Sequence, residues 1–71
     1  MTFKETVILA IKLAHRQQQE LVVGREDGRW EIVPITDARS DQLRPSVIVT
    51  GAGLKYPEHE DLYARLVSEG A

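Results

Sequence analysis

The sequence predicts an α+β fold: a two-layer α-β-β-β-α domain with a three-stranded, mainly antiparallel sheet and two helices packed on one face. Three observations predict it. A capped amphipathic stretch opens the chain, two apolar runs meet at Asp27-Gly28, and a proline-led, acid-rich helical stretch closes it. At 71 residues the chain makes one domain, 1–71, whose core by itself supplies no more than roughly 3–5 kcal/mol.

Thr2-Phe3-Lys4-Glu5 fits the capping box, with threonine as cap and glutamate three residues later. The helix it opens is expected over about 2–18. Phe3, Val7, Ile8, Ala10, Ile11 and Ala14 form its main apolar stripe, and Glu5, Lys12 and Arg16 mark the polar side. Leu9 and Leu13 fall outside that stripe. They widen the apolar arc beyond what one small sheet needs and are candidates for contact with a second subunit or a partner.

Residues 20–26 and 29–36 read as two strands of a hairpin whose loop is Asp27-Gly28, a dipeptide that tolerates the positive φ angles of a primed turn. This register sets Glu26 against Arg29, Arg25 against Trp30, Val23 against Ile32 and Leu21 against Pro34. One face then carries Leu21, Val23, Arg25, Trp30, Ile32 and Pro34 and is assigned to the core. Arg25 can lie over the Trp30 ring. Leu21–Pro34 falls among the pairs without hydrogen bonds, so the missing proline N–H would have pointed away from the first strand. The second strand is therefore an edge at Pro34, or any further pairing stops before it.

Thr36 to Pro45 is a polar connection with room for one helical turn started by Asp37. Residues 46–50, a β-branched run, form the third strand, and Gly51-Ala52-Gly53 ends it. The last helix is expected over about 57–69. Pro57 suits its first turn, and Glu58, Glu60 and Asp61 complement the positive end of its dipole. His59, Leu62, Tyr63, Leu66 and Val67 share one face, Asp61 and Arg65 are spaced to pair, and Gly70 can end the helix.

Nine basic and eleven acidic residues give a net charge of −2, which argues against a general polyanion binder. Without cysteine there are no disulfides and no thiolate metal sites, and the cytosol is the favoured compartment. No apolar run reaches the roughly 18 residues that span a bilayer, so a soluble protein is expected. His15 and His59 stand far apart and read as half-buried packing residues. No serine has a local histidine partner, and no H-E-x-x-H spacing occurs. No catalytic residues, metal or cofactor are therefore expected.

Val47 to Gly53, VIVTGAG, resembles the opening strand and glycine turn of dinucleotide-binding folds. The third glycine of that pattern is replaced by Tyr56, and the eighteen residues after Gly53 are too few for a βαβ unit. The order α-β-β-β-α and the length are similar to double-stranded-RNA-binding domains, which set a lysine-rich helix N-terminus on phosphates. Here that position holds Pro57-Glu58-His59-Glu60-Asp61, which repels phosphate. A helix followed by a hairpin is also similar to the start of Sm-like barrels, though too few strands follow to close one.

The functional expectation is a non-enzymatic protein-binding module. It would be an accessory subunit, or an inhibitor of the phage or mobile-element type that occludes a larger protein, with homo-oligomerisation as a further source of stability. Trp30, flanked by Arg25 and Arg29, has the composition of an interface anchor, although it can equally cap the core. Arg39 and Arg44 in the connecting loop, with Leu9 and Leu13 on the helix, extend the candidate surface. The alternative is a nucleic-acid-binding accessory protein that uses Arg25, Arg29, Arg39 and Arg44.

Overall fold

At the Asp27-Gly28 turn both residues adopt positive φ, 53° and 78°, as a type I′ hairpin requires. The strands it joins, β1 (Leu21–Glu26) and β2 (Arg29–Pro34), pair with the register expected from the sequence, from Glu26 against Arg29 to Leu21 against Pro34. The structure is a computed structural model describing residues 1–71. Helix α1 (Phe3–Gln17) precedes the hairpin. After it come a 3₁₀ turn (Ala38–Gln42), β3 (Ser46–Thr50), β4 (Gly53–Leu54) and helix α2 (Pro57–Ser68).

The sheet has four antiparallel strands in the order β2-β1-β3-β4, not three. The additional strand lies in the glycine segment read from sequence as a strand terminator. Gly51 and Ala52 form a two-residue loop, and the chain turns back so that Thr50 faces Gly53 and Val49 faces Leu54. Two residues are too few to register as an alternating pattern. Gly51 is required here by space: a Cβ on it would sit 2.8 Å from Cα of His15, where the end of α1 crosses the hairpin. The second strand ends at Pro34 and does not continue to 36. The Asp37 N–H turns back onto the Pro34 carbonyl at 2.9 Å, and the Asp37 carboxylate accepts from the Arg39 N–H at 2.8 Å to start the 3₁₀ turn.

Both helices cover one face of the sheet. Phe3, Val7, Ala10 and Ala14 of α1 and Leu66 of α2 bury against Leu21, Val23, Val47 and Val49. Burying the phenylalanine, valines and leucines of this set contributes about 1.5–3 kcal/mol each, and the two alanines less. The capping box of α1 is complete: Glu5 N–H donates to Thr2 Oγ1 at 3.1 Å, and Thr2 N–H donates to Glu5 Oε1 at 2.9 Å. The buried stripe of α1 differs from the expected one at Ile8, which is 43% exposed, while Thr6 is buried with its hydroxyl donating to the Thr2 carbonyl. The apolar arc of α1 is wider than the sheet beneath it, so periodicity alone did not fix which flank stays outside. Helix α2 ends in a Schellman motif, with Gly70 at φ 81°, Gly70 N–H on the Val67 carbonyl and Ala71 N–H on the Leu66 carbonyl. The Asp61–Arg65 spacing does not produce an ion pair; the ion pairs are Arg39–Asp37 and Lys55–Glu20.

The opposite face is covered by the connecting loop. Leu43 is buried against Val22 and Val33, with Ile48 packed alongside. A Cβ on Gly24 would lie 2.5 Å from Cβ of Leu43, so only glycine lets the loop lie this close to β1. Arg25 and Arg44 continue the pairing beyond β3, with Arg25 N–H on the Pro45 carbonyl and Arg44 N–H on the Arg25 carbonyl. The Arg44–Pro45 bond is cis.

Candidate protein-contact surface

Strand β2 is an edge, since β1 is its only neighbour. In the two-residue hairpin, Arg29, Glu31 and Val33 exchange main-chain hydrogen bonds with β1, and the Ile35 N–H continues the series onto the Glu20 carbonyl at 3.2 Å. Alternation therefore directs the N–H and C=O of Trp30 and Ile32 outward, where no strand meets them. Pro34 limits this open edge at one end, having no N–H to offer and a carbonyl already bound by Asp37.

Trp30 sits on the helix-covered face of this edge. Its ring centroid is 4.5 Å from that of Phe3, and the Arg25 guanidinium lies 5.1 Å above it. The ring is half-buried, its inner side belonging to the core and its outer side shared with Arg25. Trp30 thus caps the core beneath α1 and leaves part of its ring at the surface.

Leu9 and Leu13 reach the same side of the molecule from α1. Helical geometry sets them one turn apart on one flank of the buried arc, with Ile8 and Ile11 on the other. Close approach of His15 to Gly51 turns the Ile11–His15 flank toward the β3–β4 hairpin. The Leu9–Leu13 flank therefore faces the β2 edge, at the other end of the strand order. Leu13 packs half-buried on the core, and Leu9 stays 39% exposed. Leu9, Leu13, Arg25 and Trp30 thereby share one side of the fold with the open main chain of Ile32.

The other three candidate arginines are placed elsewhere. Arg29, by alternation along β2, projects from the loop-covered face beside Glu31. Arg39 is exposed and stands 3.9 Å from the Asp37 carboxylate. Arg44 is exposed and donates from its guanidinium to the Leu43 carbonyl at 2.8 Å. A shallow groove of about 330 Å³ runs beside it, between the loop and Val22, Ile48 and His59. The arginines therefore divide between two faces.

The far edge of the sheet uses a residue whose role the sequence did not reveal. Ile48 donates its N–H to Nδ1 of His59 at 3.1 Å, so the ring serves as the acceptor for this main-chain group. The Ile48 carbonyl accepts from Lys55 N–H at 2.9 Å. His59 leads α2 as expected, but it terminates a strand edge rather than simply packing. No local signal marks such a contact, because donor and acceptor lie eleven residues apart. Lys55 also reaches Glu20 at 2.8 Å, and that hydrogen bond raises its amine above the ordinary value. No three His, Asp or Glu side chains gather in a group able to hold a metal ion, and no helix is long and apolar enough to cross a membrane. No protein-family model, curated protein or solved structure matches the chain.

Proposed function

We propose that this protein is a non-enzymatic binding module that attaches to a larger protein through the β2 side of its sheet, as an accessory subunit or as an inhibitor that occludes its target. The observation that carries the reading is the meeting, on one side, of an unpaired strand edge with the Trp30–Arg25 pair and the exposed leucine flank of α1. An extended segment added to the edge would gain main-chain hydrogen bonds at Trp30 and Ile32, while Leu9 and Arg25 would select its side chains. The proposed contact residues are Trp30, Arg25, Leu9 and Leu13, with Arg29 on the reverse face of the same edge. Arg39 and Arg44 would contact a partner only if it wrapped around the loop.

Trp30 is a poor first probe, because removing it also removes the support under Phe3. Leu9→Glu and Arg25→Ala are the informative variants. Tagged wild type drawn through lysate of its native cell, with and without nuclease, should retain a stoichiometric protein in both cases. Each variant, folded by circular dichroism, should weaken that capture by about tenfold or more. Capture that nuclease abolishes, or that both variants leave intact, would overturn the proposal and favour the arginine-based nucleic-acid reading or another face.

A further inference from the structure

We infer that the β2 edge also pairs with itself, so that a second copy of this chain extends the sheet antiparallel across a two-fold axis at Trp30. The inference rests on the β2 side being the contact surface and names one occupant of it. Three antiparallel registers are open to the outward-facing residues. A two-fold at Glu31 sets the two Glu31 carboxylates opposite each other in a closely spaced pair, which is repulsive. A two-fold at Ile32 sets Trp30 against Pro34, which has no N–H and whose carbonyl is already bound by Asp37. A two-fold at Trp30 avoids both faults. The two Trp30 residues exchange main-chain hydrogen bonds, and Ile32 falls opposite Gly28 at the turn.

That register also matches the charges. Arg29 of each copy stands directly opposite Glu31 of the other, in the pairs where side chains approach most closely, and the match occurs twice by symmetry. Both residues project from the loop-covered face, clear of the two-helix layer. Charges on an edge strand commonly deter pairing. Here their order along β2, Arg29-Trp30-Glu31, is self-complementary about its centre. The inverted sequence presents acid to base at both positions.

Sedimentation or light scattering over a dilution series from roughly millimolar to micromolar chain covers the range of a small interface. Wild type should move from twice the 8.0 kDa chain mass toward that of one chain on dilution. Glu31→Arg should stay at one chain, since it sets four arginines around the axis; inside the chain it faces only Gly24 and leaves the hairpin intact. Arg29→Glu should do the same. The double variant R29E/E31R should regain the dimer. A wild type at one chain throughout, a folded double variant that stays single, or single variants that pair like wild type would each overturn the inference. A single-chain wild type whose protein partner is still lost on Leu9→Glu would overturn self-pairing alone and leave the proposed contact surface standing.

Discussion

On the β3–β4 side of the sheet, the Ile48 N–H ends on the His59 ring and its carbonyl on the Lys55 N–H, whereas on the β2 side the main chains of Trp30 and Ile32 meet no strand. The chain commits a two-residue strand, a histidine and a lysine to closing one edge. It leaves the other open beside its only tryptophan. Open edges are a hazard that folded proteins ordinarily suppress. The contrast locates the edge that the proposed reading assigns to a partner chain.

Four substitutions break or sharpen that contrast. The largest effect is expected from Leu43→Ala, which removes the side chain buried over Val22 and Val33. Urea unfolding should show a loss of about 2–5 kcal/mol, because the face opposite the helices has no other cover there. Gly51→Ala comes next. Its methyl would press on the backbone of His15, 2.8 Å from the Cα, prising the closed edge from α1 at about 1–3 kcal/mol. His59→Ala should cost about 1–3 kcal/mol by leaving the Ile48 N–H without its acceptor. It should also make the second edge available, so that scattering detects species larger than a dimer.

The smallest effect is expected at the cap of α1, which contributes no main-chain group to either edge. Thr2→Ala removes a cap worth about 1 kcal/mol. The Thr2 N–H holds the Glu5 carboxyl below its ordinary value. A lowered folded value means that this contribution is present above the unfolded pKa and lost as pH falls through the folded one. The difference between wild type and Glu5→Ala, which removes the titrating carboxyl itself, should therefore shrink on acidification. Lys55 has the opposite sign. Its raised amine favours the folded state below the unfolded pKa, and that support is lost as pH rises through the folded value, loosening the closed edge in strong alkali.

What the sequence made legible follows from how local each determinant is. Asp27-Gly28 sets a turn type, the turn type sets the register, and the register decided which face Trp30 and Arg25 share. The capping box and the Pro57 start mark their helices for the same reason, since all partners lie within one turn. The misses are non-local. Leu43 is one leucine in a polar loop, and its burial depends on the absence of a side chain at Gly24. β4 is two residues long and exists only because Thr50 and Val49 are there to pair with it. Ile8 and Leu13 lie on opposite flanks of one wide arc, and only the positions of the sheet and α2 decide that Ile8 stays outside. The candidate surface was half legible: its residues could be named, but not that Arg39 and Arg44 would lie apart from Trp30.

Residue-resolved amide hydrogen exchange tests the difference between the edges most directly, because it reads the main-chain groups themselves. In dilute protein, the Trp30 and Ile32 amides should exchange rapidly while Ile48 is protected. Raising the concentration should slow Trp30 and Ile32 and leave Ile48 unchanged. Protection of Trp30 and Ile32 equal to that of Ile48 in the dilute single chain, or a concentration-dependent gain at Ile48 with none at β2, would contradict the account.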